Sequence, residues 1–581
     1  MTVAAGPVFS PREIPFSFRG SWFGFSPVIA ENTYAPDVHL VSHQTGMHPI
    51  LRLIPTTGGA RAETTLSATP HALTWTRDDG RIDLAYETPD TVRVRGEGLG
   101  LQLVAADPVL TPFSGPYFYA DPGDGSWVFT VYQTGRRYRV TLLTGNAGSW
   151  GEQALGTTVR GVLLRGDEPW EIAVEEYETA RAPYRSETGF EQVRTAARAD
   201  FESFRDAVAP WRSDRTPGAE LAAYVLWSAT VRPAGFVTRP AVLMSKHWMD
   251  KVWSWDHCFN AIALADGLPE LARDQFRLVF DHQDAAGALP DSVTHSEVLY
   301  NFVKPPIHGW ALARLRPLED GEADEAYRLL ERWTSFWLTR RRVPGHEFAH
   351  YQHGNDSGWD NATTFDPERV VETADLAAFL VLQMRELARL AAELGRTDAA
   401  AGWRREADRM REALLAELWD GDRFVARSAH TGRTWSSSSL LDLMPIVLGE
   451  ELPEPVRTAL AARIETHLTE FGLATELPGS PGYQDDGYWR GPIWAPSTIL
   501  IEDGLRRAGY PDLADEISAR FRVLCEKSGF AENFDARSGA GLRDRAYTWT
   551  ASAYLILAAA HEHRLTLADP REPDPALTRG R

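Results

Sequence analysis

Near residue 185 the period of the apolar residues changes, and that switch constrains the fold more than any other feature. Before it, runs such as "TVRVRGEGLGLQLVA", "SWVFTVYQTGRRYRVTLLTG" and "TTVRGVLLRG" are short, β-branched and aromatic. Gly, Asp and Pro punctuate them every 8–12 residues or so, the mark of antiparallel strands in a sandwich. After it, "ADEAYRLLERWTSFWLTRR", "ADLAAFLVLQMRELARLAAEL", "DLADEISARFRVLCEKS" and others carry apolar residues at i, i+3, i+4 and i+7, which predicts helices. About a dozen such spans lie between 190 and 565 with no strand pattern between them, which excludes a β/α barrel. They suit six antiparallel pairs curled into a closed toroid. The rival superhelical solenoid lacks a 34- or 40-residue repeat. The predicted fold is multidomain α and β: an N-terminal antiparallel β-sandwich over 1–185, a linker with a helix over 186–210, and an (α/α)6 barrel over 211–565. A polar, Pro-rich tail over 566–581 completes the chain.

At 581 residues the chain exceeds the usual size of one core, in keeping with two domains. A formal charge of −20 argues against nucleic acid and anionic membranes as partners, but not against a neutral ligand. Cys258 and Cys525 cannot form a disulfide framework and read as buried thiols of a reducing compartment. The N-terminal "MTVAAGPVFSPREIPF" has neither a basic n-region nor an apolar h-region, and no apolar run is long enough to span a bilayer. The expected location is cytoplasmic. "GEGLG" at 96–100 resembles a phosphate loop only superficially, because it lies within strand pattern and opens no helix.

Twenty tryptophans are the compositional oddity. Six of them fall in three of four aperiodic loops that stand out: "SKHWMDKVWSWDHCFN" (245–260), "HGNDSGWDNATTFD" (353–366), "GYQDDGYWRGPIWAP" (482–496) and, without a tryptophan, "FAENFDARSGAG" (530–541). Each mixes aromatic surface with carboxylates or amides. Hydroxyl-rich ligands need that mixture, because indoles pack on the apolar face of a pyranose while Asp, Asn and Arg bond its hydroxyls. A single Trp-Asp pair is more often a core tryptophan beside a solvated acid. Four such loops in one chain point instead to a shared cavity.

Cleaving a glycosidic bond needs one acid to protonate the leaving oxygen and one carboxylate to act as base or nucleophile. Asp360 follows Trp359 directly, and an apolar neighbour favours the protonated form. Glu532, on another loop, is a candidate partner. Asp356, Asp485 and Asp486 compete for these roles, and spacing alone does not choose. "HEFAH" (346–350) matches the H-E-x-x-H zinc signature. Zinc ligation needs both histidines on one helix face, yet Pro344 and Gly345 precede the motif and no apolar stripe runs through it. An extended approach to the acid loop is the better reading.

"WSWDHCFNAIAL", "KPPIHGWAL" (304–312), "GNDSGWDNATTFD", "YWRGPIWAPS" (488–497) and "ENFDARSGAG" together resemble glycoside hydrolase family 63 across residues 195–565. The family includes processing α-glucosidases and bacterial mannosylglycerate and glucosylglycerate hydrolases. The resemblance implies an (α/α)6 barrel and inverting hydrolysis, with Asp360 as general acid and Glu532 as general base. It implies substrate contacts from Trp253, Asp256, Trp359, Trp489, Arg490 and Trp494. Lys304 and Asn355 are further candidate substrate-binding residues, and Lys304, Arg490 and Arg543 could meet an anionic aglycone. The chain departs from the family where many relatives have Glu-Ser-Gly instead of Asp356-Ser357-Gly358, and Ser-Pro instead of Ala362-Thr363. Both changes bear on the aglycone side.

The function expected is thus an inverting, exo-acting α-glycosidase, foremost an α-glucosidase on a short α-glucoside, with a mannosylglycerate or glucosylglycerate hydrolase as the alternative. The partner expected is a small neutral or glycerate-linked saccharide. No metal or cofactor is required; a structural calcium on loop carboxylates is compatible with the sequence without being implied by it. A glycoside phosphorylase, a sugar epimerase and a non-catalytic sugar-binding protein are the more distant readings.

Overall fold

The computed structural model describes residues 6–315, 317–318 and 321–568. Two eight-stranded antiparallel sheets build the N-terminal sandwich. One runs in the order Phe16–Ser17, Phe23–Ala30, Thr33–Ser42, His48–Thr57, Gly100–Ala105, Gly161–Leu164, Ala147–Trp150, with Ala60–Arg61 beside His48–Thr57. The other runs Pro116–Ala120, Trp127–Val131, Arg136–Thr144, Trp170–Tyr177, Thr91–Glu97, Gly80–Thr88, Ala72–Arg77, Thr65–Thr69. Alternating strand residues face inward, and Leu73, Leu84, Leu101, Phe118, Phe129 and Ile172 are buried between the layers. "GEGLG" carries the chain from Thr91–Glu97 in one sheet to Gly100–Ala105 in the other. Gly98 makes that passage with φ +68°, and a Cβ on Gly96 would collide with the Trp170 indole.

The helix Phe190–Val208 leads from the sandwich into the helical half. There, six helical segments pack each on the next: Asp256–Leu264, His308–Leu312, Ala374–Glu393, Leu440–Glu451, Ala495–Arg507 and Thr548–Ala568. The last returns to the first, and the ring is closed. Behind each lies an outer partner: Pro269–Leu278, Glu322–Arg340, Thr397–Glu417, Glu454–Thr466, Pro511–Ser528 and Ala219–Ala229. Composition sorts the two layers. Ala374–Glu393 is apolar almost all round and buries most of its residues, as an interior helix must. Thr397–Glu417 buries only Ala400, Ala407, Met410 and Leu414, one stripe against its inner neighbour.

Two sequence expectations need adjustment. "SSLLDLMPIVLG" becomes a kinked 3₁₀ segment rather than an α-helix, because Pro445 interrupts it and Gly449 turns with φ +58°. The final helix continues to Ala568, so the first residues assigned to the tail are helical. Residues 569–581, the rest of that expected tail, lie outside the described residues. None of the described helices is long and apolar enough to cross a membrane.

Candidate active site

Four loops of unusual composition, and the segment bearing Lys304, each lead into the N-terminus of an inner helix. Inner helices of an antiparallel-pair ring run parallel, so these loops meet at one mouth. Helix N-termini carry partial positive charge there, a favourable setting for acids. Asp256 opens its helix and is buried.

The acid loop is built by short-range bonds. His353 accepts from Asn355 N at 3.1 Å, and Ser357 Oγ donates to Gly354 O at 2.6 Å and accepts from Trp359 N at 3.1 Å. Gly354 lies directly under the backbone of Asp360, where a Cβ would stand 2.2 Å from its carbonyl oxygen. Gly358 takes φ +73° against the Trp255 indole. Both glycines are therefore sterically required. Asp356 accepts from Val303 N at 3.0 Å, Gln352 N at 2.8 Å and Arg341 at 2.8 Å. It anchors the loop and is removed from competition as the acid. Asp485 and Asp486 are exposed and pair with Arg537 and Arg543 at 3.3 and 2.7 Å.

Asp360 keeps 28% of its side chain exposed and faces Lys304 Nζ at 3.9 Å. Lys304 also meets Asp291 at 3.3 Å and donates to Asn355 O at 2.9 Å. Burial pushes the Asp360 carboxyl above its ordinary range, and the Lys304 ammonium opposes that. Burial presses Lys304 down, but Asp360, Asp291 and Asp256 together hold it above its ordinary value. Burial raises Asp256 to about 8, with Lys304 opposing. Glu532 is 1% exposed and also raised to about 8, by burial and then by the charge of Asp544, against Arg543.

Tyr488 joins the two catalytic candidates, since its phenol lies within electrostatic reach of both Glu532 and Asp360. Tyr547 likewise faces Glu532 and Asp256. Yet both oxygens of Glu532, with Asp256 Oδ2, Ser254 Oγ and Asn533 Nδ2, are buried without a well-formed hydrogen bond among the described residues. Native interiors rarely tolerate so many unpaired polar atoms together, and a ligand rich in hydroxyls would satisfy them.

The tryptophans fall in two groups. Trp359, Trp489 and Trp494 are 2%, 1% and 1% exposed, covered largely by one another. Ring centroids are 4.7 Å apart for Trp359–Trp489 and 4.1 Å for the stacked Trp489–Trp494. Trp255 and Trp549 complete this aromatic floor. Trp253, in the strand Val252–Trp253, is only half-buried, as is Tyr488; Lys251 lies over the Trp253 ring at 5.9 Å and the Arg543 guanidinium over the Tyr488 ring at 4.9 Å. Arg490 departs from the expected hydroxyl contact: Nε donates to Asn361 O at 2.7 Å and the guanidinium pairs with Asp366. Its charge is thereby committed to clamping the acid loop. Asn355 contributes its carbonyl to Lys304. "HEFAH" is bent rather than helical, and His346 bonds Glu372 at 2.6 Å. Among the described residues no group of three His, Cys, Asp or Glu is placed to hold a metal ion.

Sequence reasoning missed Tyr488, Asp291 and Asp544. Tyr488 carries a signal in retrospect, standing beside Trp489 in the densest aromatic run. Asp291 and Asp544 sit in ordinary polar stretches that give none.

The model of the mannosylglycerate hydrolase MGH1-like glycoside hydrolase domain matches residues 249–550. A mannosylglycerate hydrolase from Rubrobacter radiotolerans is 26% identical over 420 residues, covering 55% of this chain and 92% of that protein. A periplasmic trehalase from Xanthomonas campestris is 27% identical over 282 residues, 41% of this chain and 47% of that one. Among solved structures, a family 63 mannosylglycerate hydrolase from Thermus thermophilus superposes with a TM-score of 0.51 at 21% identity, over 58% of this chain and 99% of that one. A bacterial glucoamylase complexed with acarbose reaches 0.63 at 12% identity, over 96% and 94% of the two chains. That likeness takes in the sandwich as well as the barrel, and at such identity it speaks for the fold alone.

Proposed function

Because the chain belongs to glycoside hydrolase family 63, and is therefore a glycoside hydrolase, we propose that it hydrolyses an α-linked glycoside of a small hydroxy acid, mannosylglycerate or glucosylglycerate. The observation that carries this reading is the mannosylglycerate hydrolase that aligns over 92% of its own length. The α-glucosidase expected first from the sequence gives way to it, since that relative is named for mannosylglycerate.

In the proposed mechanism Asp360 gives its proton to the glycosidic oxygen as the bond to the anomeric carbon breaks. Glu532 takes a proton from the water that attacks that carbon from the opposite face. The sugar leaves with inverted configuration, and the hydroxy acid leaves with the proton from Asp360. Protonation and base catalysis supply the chemistry, and neither step calls for a metal. Lys304 holds Asp360 in place, and the half-buried Trp253 and Tyr488 flank the sugar.

The electrostatics add a condition. Glu532 must be ionised to act, yet it keeps its proton up to about pH 8 in the ligand-free chain. The productive form has Glu532 ionised and Asp360 protonated. A water donating to the unpaired oxygens of Glu532 favours that form, because hydrogen bonds to a carboxylate stabilise its charge.

The test is a panel of mannosylglycerate, glucosylglycerate, trehalose and α-glucosides, with NMR of the first-formed anomer. Release of the β-anomer from one of the two glycerate substrates is expected. Cleavage of neutral glucosides alone would return the reading to an α-glucosidase. Asp360→Asn should lower kcat on the natural type of substrate by about 10²–10⁴-fold. It should lose far less on a glycosyl fluoride, whose leaving group needs no proton. Glu532→Gln should lose on both alike. The reverse pattern would exchange the two roles.

A further inference from the structure

Asp544 is fully buried and bonds the proposed base through the backbone. Its carbonyl accepts from Glu532 N at 2.7 Å. Its carboxylate accepts from Ser245 Oγ, from His247 Nδ1 at 3.0 Å and from Ala546 N at 3.0 Å. Ser245 Oγ in turn accepts from His247 N at 3.1 Å. Asp544 thus ties the 245–250 loop, through its carboxylate, to Glu532, through its carbonyl.

The same loop is held on its other side by the sandwich. Lys246 is buried and donates to Ser17 Oγ at 3.0 Å and Ser21 O at 2.7 Å. Asp250 meets His43 Nδ1, also from the sandwich, at 3.3 Å. Burying a lysine without a carboxylate partner is costly, and here the donors are satisfied only because the sandwich offers oxygens at that spot.

We propose that Asp544 is a positioning residue for Glu532, and that the N-terminal sandwich, through Lys246 and His43, braces the loop that holds Asp544. This rests on Glu532 being the general base. Besides fixing geometry, the negative charge of Asp544 favours the protonated form of Glu532, while Arg543 on the same hairpin opposes it. The other titratable groups around the pair are Tyr488 and Tyr547 at Glu532, His247 at Asp544, and Tyr34 of the sandwich farther from Asp544.

The two neighbouring charges predict opposite effects. Asp544→Asn should lower the pH at which Glu532 ionises by about one unit, and Arg543→Gln should raise it. Difference infrared spectroscopy across pH reads this directly, as the midpoint of the protonated-carboxyl band that Glu532→Gln abolishes. In wild type the acid limb of kcat/KM should follow that midpoint and move with it in both variants. An unmoved midpoint in Asp544→Asn, or shifts of the same sign in both, would overturn the proposal. Should Asp544→Asn not fold, Ser245→Ala should lower kcat about tenfold at unchanged KM, and Ser245→Thr should restore it; unchanged kcat in Ser245→Ala overturns the proposal equally. The infrared midpoint needs no substrate, so an absence of hydrolysis would sink the functional reading without touching this measurement.

Discussion

Gly358 shows how a single position can serve a site without touching substrate. With φ +73° and the Trp255 indole 2.5 Å from where a Cβ would stand, Gly358→Ala meets both backbone strain and a clash with a fixed ring. A loss of at least about 2 kcal/mol is expected in urea denaturation, with activity falling in parallel as Trp359 and Asp360 shift. A stability equal to wild type would mean that the loop relaxes without strain. At this scale the sequence was partly legible. Asp360 and Asp256 stood out as carboxylates directly after indoles, and Glu532 as the acid of a separate polar-aromatic loop. Asp356 looked equal to Asp360 until its three donors appeared, because hydrogen-bond partners drawn from residues 303 and 341 leave no mark on a nine-residue motif. Arg490 had the right chemistry for a sugar, but its partner Asp366 was already present in the next loop.

Loops behave as pairs here. Asn361 donates to Gly487 O at 3.0 Å and accepts from Trp489 N at 3.0 Å, so one amide fastens the acid loop to the aromatic run. Asn361→Ala leaves both backbone groups without that partner and is expected to cost about 1–3 kcal/mol. Asn361→Asp should keep the bond from Trp489 N and lose the one to Gly487 O, giving an intermediate effect on kcat/KM. Equal kinetics for all three proteins would separate the two loops. The helices were largely legible, since period and all-round apolarity distinguish outer from inner. The kink at Pro445 and the order in which elements close the ring were not, because propensity is local and closure depends on contacts between residues hundreds of positions apart.

Over the whole molecule, buried acids couple catalysis to stability. Burial raises Glu532 and Asp256 to about 8, Glu176 to about 7 and Asp375 to about 6. Between the unfolded carboxylate range and pH 8 the folded chain therefore binds more protons than the unfolded one. The contribution of these groups is complete at low pH, falls as pH rises through that window and is flat above it. Glu532→Gln removes one such group. It should be more stable than wild type at pH 8, by several kcal/mol, with the difference vanishing toward pH 4 in thermal melts. A constant difference across pH would mean that Glu532 is not raised in the folded chain. The helix Thr548–Ala568 seals against Asp256–Leu264 to complete the ring, and Glu532 opens the strand pair that precedes it. A nascent polypeptide on the ribosome thus exposes an unfinished wall of apolar helices until Thr548–Ala568 emerges, and the enzyme gains its cleft in that late event.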